Sequence, residues 1–196
     1  MKRNTADVFS LPEGYGELLE IDLQKDQKLS LLTNLLALLI AILAAAVGFL
    51  LRPEAPFLTS TEGDGLLLRF IVLIGGLVVY LVLHELVHGL FIHLFSGKRA
   101  KYGFTGLYAF AGSDAYFSKS RYLVIALAPI VVWGIILHVL VCTLPIAWFW
   151  PVYCIQIANL GGAAGDLYVT VRFLRLPADI LVQDEGVSMT VYNKKR

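Results

Sequence analysis

From Leu29 to Leu51 the chain is almost uninterrupted leucine, alanine, isoleucine and valine. As a helix this run covers the roughly 30 Å of hydrocarbon in a bilayer. Leu66 to Phe95 follows the acidic stretch "TEGDG" and is longer. It reads either as one tilted span or as a span followed by a short break. Val124 to Trp150 is a third apolar run, with Pro129 near its start and Pro145 near its end, and "PIAWFWP" reads as a tight turn carrying interfacial tryptophans. Val152 to Leu176 is the fourth and ends in "RFLRLP". Between and around these runs the period changes from continuous to alternating. In "ELLEIDLQ", Leu19, Ile21 and Leu23 alternate with Glu20, Asp22 and Gln24, the period of a short strand. "ILVQDEGVSMTVY", Ile180 to Tyr192, reads as two strands around an acidic glycine turn, and "KYGFTGLYAFAGSDAYF" as a hairpin or re-entrant loop.

The pattern predicts an all-α integral membrane core of four transmembrane helices with small cytosolic β-strand elements. Residues 1–28 form a cytosolic N-terminal segment with a short strand, 29–176 the four-span core, and 177–196 a C-terminal β-hairpin tail. Composition agrees with a membrane location: 58% of the 196 residues are hydrophobic, 16% are charged, and the mean hydropathy is +0.73. A soluble domain needs roughly a quarter charged residues. Net charge is only +1, with no zinc-finger spacing or stacking motif, which argues against a nucleic-acid partner. Cys142 and Cys154 lie in apolar segments and read as small hydrophobes rather than a disulfide. No leader with a cleavage site precedes the first run, so that run is expected to be retained.

Basic residues set the expected direction. Lys2, Arg3, Lys25 and Lys28 precede the first run. Lys98, Arg99, Lys101, Lys119 and Arg121 lie between the second and third, and Arg172, Arg175 and Lys194 to Arg196 follow the fourth. The connection between the first two runs sets Arg52 against Glu54, Glu62 and Asp64. Both termini and the central connection are therefore expected in the cytoplasm, in a multi-pass protein of the cell membrane.

A cluster of ionisable groups interrupts the second half of the second run. His84, Glu85 and His88 form H-E-x-x-H. Residues four apart on a helix share a face, so both imidazoles can reach one metal ion, while Glu85, one step round, can address a water beside it. Zinc accepts such ligands with one position open, and the glutamate then acts as general base. Charged groups in a span cost roughly 2.5 to 3.5 kcal/mol unless paired, metal-bound or facing a cavity. A third ligand is needed. His93 lies nine residues after His84, about half a turn away round the helix, and His138 sits near the outer side of the third run; both read as structural. Asp166, in "NLGGAAGD", matches His84 in depth, and Asn159 lies two turns before it on the same face. Asn159 can hydrogen-bond a ligand or a substrate carbonyl. The glycines and Asn159 could equally serve close helix contact.

These residues, with "LPEGYGELLEIDL", "HELVHG", "YAFAGSDAYFSKSRYLVIALAPIV", "NLGGAAGD" and "DILVQDEGVSMTVY", resemble the small bacterial zincin-like membrane-protein family DUF3267, and more distantly the site-2 protease type of intramembrane metalloprotease. The resemblance runs from Leu11 onward. It implies a zinc peptidase with Zn2+ ligands at His84, His88 and Asp166 and with Glu85 activating water. It also implies a membrane or juxtamembrane protein substrate. Site-2 proteases usually place their aspartate in Asn-Pro-Asp-Gly, whereas here Asn159 is separated from Asp166 and no proline adjoins the aspartate. The rival readings are a non-catalytic metal-binding membrane scaffold and a pseudoprotease. Glu85 favours catalysis, since neither rival needs a base beside the ligands. The sequence leaves a homo-oligomer open, because the glycine-rich fourth run can serve a dimer as well as an internal contact.

Overall fold

The computed structural model describes residues 9–22, 24–55, 65–106 and 109–195. Lys2, Arg3, Leu23, Glu62, Asp64, Leu107, Tyr108 and Arg196, which enter the sequence-based expectations, lie outside the described residues. Strand β1, Tyr15–Asp22, ends where Asp22 Oδ1 accepts the backbone N–H groups of Gln24 and Lys25 at 2.9 and 3.0 Å. Four residues on, Asp26 Oδ1 accepts the N–H groups of Lys28 and Leu29, both at 3.0 Å, and so caps the start of α1, Gln27–Leu51. The second apolar run is a single unbroken helix, α2, Gly65–Ser96. It is followed by β2, Lys101–Phe104, and β3, Ala109–Ser118. Helix α3, Lys119–Thr143, contains Pro129. Its length, with those of α1 and α2, makes three helices among the described residues long and apolar enough to cross a membrane. Their leucines, isoleucines and valines are widely exposed, Leu31, Leu35, Leu38 and Ile42 in α1 among them, as lipid-facing side chains are.

The expected four-helix, all-α core is not what forms, and two findings overturn it. First, the fourth run is not one span. After a 3-10 turn at Ile146–Trp148 it makes α4, Phe149–Gly162, of 14 residues, and α5, Ala164–Leu174, of 11. At 1.5 Å per residue these are roughly 21 and 17 Å long, each short of the hydrocarbon thickness. Gly161 and Gly162 weaken the helix where it stops, and Ala163 leaves helical geometry with φ −78° and ψ 9°. Second, the strands join into one five-stranded antiparallel sheet, in the order β1-β5-β4-β3-β2, with β4 at Leu181–Asp184 and β5 at Ser188–Lys194. The sheet draws on the N-terminal stretch, the connection between α2 and α3, and the C-terminal stretch. Those three parts of the chain consequently lie together, and the return from α3 to the sheet is made by short helices instead of a continuous span.

By their internal contacts the residues form two units, one drawing on the chain to Leu32, Glu85–Ala128 and Asp166 onward, the other on Thr33–His84 and Pro129–Gly165. In the first, one sheet face (Ala115, Phe117, Val182, Val191) is buried with Ile92 of α2, Ile125 of α3 and Val169 and Phe173 of α5. In the second, Tyr80, Leu137, Val152 and Ile155 form one apolar cluster, and Ala55, Phe149 and Trp150 another. Trp150 is buried, its indole N–H donating to the Ala55 carbonyl at 3.2 Å. Gly48 leaves the room that the Tyr153 ring occupies, and the Tyr153 hydroxyl donates to the Ala44 carbonyl at 2.7 Å.

One carboxyl inside the first unit carries a pH dependence. Asp184 accepts from the Tyr122 hydroxyl at 2.5 Å and from the Gly186 N–H at 2.8 Å. Burial pushes it up to about 6 from 3.8, against the pull of those two donors and of His88. Because the folded protein holds this proton more tightly than the unfolded chain does, the contribution of Asp184 to stability is full below about pH 4. It is lost as pH rises through 6. The change is about 3 kcal/mol at most. Asp184→Asn should remove it, so the apparent unfolding temperature of wild type, followed in detergent from pH 4.5 to 7.5, should fall relative to that of the variant. Parallel curves would show that Asp184 does not titrate across this window.

Candidate metal centre

Helix α2 carries the histidines on one face, and each is held from behind. The His88 Nδ1 lies 2.9 Å from the backbone carbonyl oxygen of Ile125 in α3. A carbonyl only accepts, so Nδ1 carries the proton and Nε2 the lone pair. His88 Nε2 approaches Asp166 Oδ2 at 3.6 Å. Asp166 stands in the first turn of α5, where the helix dipole favours a negative charge. The break between α4 and α5 creates that helix start.

His84 is held by a longer relay. Its Nδ1 is 2.9 Å from the hydroxyl of Tyr80, one turn earlier on α2, and that hydroxyl donates to Asn159 Oδ1 at 3.1 Å. Having spent its proton on Asn159, the Tyr80 oxygen accepts from His84, which again puts the histidine proton on Nδ1. Asn159 Nδ2 donates in turn to the Ile130 carbonyl at 3.3 Å. Asn159 is 0% exposed and His84 8%. This is the arrangement of a metal-ligating histidine, whose second nitrogen is oriented by an outer partner.

His84, His88 and Asp166 each offer a ligand atom, and these atoms all lie within 4.8 Å of one another. Atoms bound tetrahedrally at about 2.0–2.1 Å stand roughly 3.3 Å apart, close to the 3.6 Å between His88 and Asp166. Two neutral imidazoles and one carboxylate are a donor set that fits zinc. Glu85 follows His84 directly on α2 and is half-buried. His93 and His138 are exposed and outside the ligand group, with His138 Nε2 3.8 Å from Cys142 Sγ. Both cysteines are unbridged.

Sequence reasoning missed Tyr80. Its signal is the i, i+4 spacing to His84 in "YLVLH", which was readable once the metal motif was assigned. Also missed was Tyr102 of β2. A side chain at Gly89, the residue after His88, would run into its ring at 2.6 Å from Cζ and into its hydroxyl. Glycine at 89 leaves the space that the tip of the Tyr102 ring occupies.

The chain belongs to the family DUF3267, described as "Putative zincin peptidase", which matches residues 77–181. That stretch runs from the middle of α2 to the start of β4 and contains both histidines, Glu85, Asn159 and Asp166. No curated protein and no solved structure matches the chain.

The relay makes a measurable demand. Tyr80→Phe keeps the ring and removes the hydroxyl, leaving the His84 N–H and the Asn159 oxygen without that partner. Its affinity for Zn2+, titrated against a competing chelator, should fall about 10- to 100-fold with helical content unchanged. Wild-type affinity would mean that Tyr80 only fills space.

Proposed function

We propose that the protein is a zinc-dependent, membrane-embedded endopeptidase that hydrolyses peptide bonds of membrane or juxtamembrane protein segments. The observation that carries this reading is Glu85 next to His84 on α2, a helix apolar enough to span a bilayer that also carries His88, with Asp166 of α5 completing the three-ligand group. A bound zinc ion supplies a Lewis acid that acidifies water and polarises a carbonyl. Glu85 takes one proton from the attacking water. As the water oxygen joins the carbonyl carbon and the carbon–nitrogen bond breaks, Glu85 passes that proton to the departing amine. Asn159 acts on this chemistry through Tyr80 and His84, because both ends of its amide are engaged in the relay.

A peptide bond inside a helix has its carbonyl engaged, so the substrate reacts in an extended form. Strand β2 ends the sheet order, and its Tyr102 rests on Gly89 beside His88. Both facts support an extended segment pairing with the β2 edge next to the reacting groups. Lys98, Arg99, Lys101, Lys119, Arg121, Arg172, Arg175, Lys194 and Lys195 lie in or next to the parts of the chain that meet at the sheet. That clustering supports a cytoplasmic sheet with both chain ends on the same side.

The test uses purified full-length protein in detergent, loaded with Zn2+ and given a panel of fluorogenic extended peptides. Glu85→Gln should retain one zinc per chain and lose roughly a hundredfold or more in kcat/KM, since general base catalysis by itself is worth about 10²–10⁴. His84→Ala, His88→Ala and Asp166→Ala should lose both metal and activity. Activity that survives Glu85→Gln, or zinc that survives all three ligand changes, would overturn the mechanism. Zinc bound by an inactive wild type would instead favour a non-catalytic metal-binding scaffold.

A further inference from the structure

The carbonyl that holds His88 belongs to Ile125, and the residue four places later in the same helix is Pro129. In an α-helix the carbonyl of residue i accepts from the N–H of residue i+4. Proline has no N–H, and its ring pushes against the carbonyl of the residue four before it. The helical donor missing from α3 is therefore the one that would have served Ile125. The same oxygen receives the Nδ1–H of His88 at 2.9 Å.

We propose that Pro129 is a positioning residue of the metal centre. By withholding its own donor and turning the Ile125 carbonyl out of the α3 ladder, it reserves that oxygen for His88. The inference rests on the reading of His88 as a metal ligand. Two needs are met by one bond. An apolar helix cannot leave a carbonyl without a donor at small cost. A ligating imidazole needs an acceptor behind it to fix which nitrogen keeps the proton. Pro129 is itself among the fully buried side chains, so its ring has no lipid-facing or solvent-facing role to account for it. Ile125 is also buried, at 3% exposure, which keeps water from competing for the carbonyl.

A restored N–H should act against the site while helping the helix. Pro129→Ala returns the donor to Ile125, and Zn2+ affinity of the full-length protein should fall about 10- to 100-fold. The apparent unfolding temperature of the chelator-treated protein should stay level or rise, because the helical bond is regained. A merely structural proline would give the reverse, a lower unfolding temperature with affinity following it. A second variant separates the missing donor from the ring. Lactic acid placed at position 129 by nonsense suppression has neither N–H nor ring, and it should bind Zn2+ nearly as wild type does. A third readout needs no metal. In histidine-labelled protein, the ¹⁵N signal of His88 should report Nδ1–H in wild type and in the lactic acid variant, and mixed tautomers in Pro129→Ala.

Wild-type affinity and tautomer in Pro129→Ala would overturn the proposal. So would equal losses in the alanine and lactic acid variants, since the ring and not the absent donor would then be responsible. If Pro129→Ala does not fold, the lactic acid variant decides by its affinity and its His88 signal. A folded wild type that binds no Zn2+ would overturn the metal reading and this inference together, whereas unchanged binding in Pro129→Ala removes this inference alone.

Discussion

Hydrocarbon offers no hydrogen bonds, so a polar group carried into a membrane-spanning helix must find its partner within the protein. The two histidines of α2 meet this demand in two short chains. In one, His88 of α2 ends on the carbonyl of Ile125. In the other, His84 passes through Tyr80 and Asn159 to the carbonyl of Ile130. Both chains end on the backbone of α3, at carbonyls five residues apart, and both begin at histidines four apart on α2. Satisfying the membrane's demand and orienting the imidazoles are thus the same set of bonds. A histidine buried for structural reasons alone would have no need to present one particular nitrogen.

The sheet solves a different problem. A chain of apolar helices has weak forces between its members in lipid, where apolar burial no longer favours association. Here the segments at the two ends of the chain and in its middle are joined by strand pairing outside the spans, with β1 against β5 and β3 against β4. The helical ends next to those strands, carrying Ile92, Tyr122 and Phe173, contribute to a single apolar cluster with the sheet. The first unit can therefore fix His88 and Asp166, both of which it contains, through burial of an ordinary kind.

Much of this was legible because the signals are local. Continuous apolar runs gave α1, α2 and α3 to within a few residues at most ends, and alternation located β1, β4 and β5. The H-E-x-x-H spacing brought His84 and His88 to one face without knowledge of any other helix. Asp166 was reached by matching depth along separate runs, and the geometry does bring it to His88. The sequence could not reveal that the strands from three distant segments make one sheet, because pairing partners leave no trace in a single strand's period. Nor did hydropathy reveal the end of α4, since Gly161, Gly162 and Ala163 are as compatible with an apolar run as with a break. Proline at 129 looked like ordinary punctuation near a span end, and its meaning depended on which carbonyl it left behind.

The break in the fourth run has a consequence for the site that an unbroken span would lack. Gly161 is where α4 comes close to α1: a Cβ there would stand 3.1 Å from the carbonyl oxygen of Ala37. A Cβ at that distance is tight, so the neighbouring backbone would have to give by a few tenths of an ångström, and glycine relieves the contact before any question of chemistry arises. Its cost is a helix that ends one residue later. Ending there begins another helix at Ala164, and Asp166 falls in its first turn, where unpaired backbone N–H groups and the dipole favour a carboxylate. In the middle of a continuous span the same aspartate would face a backbone already bonded to itself and an environment that penalises charge. The glycines that disqualify the run as a membrane span are, by this reasoning, what places its carboxylate at a helix start beside His88.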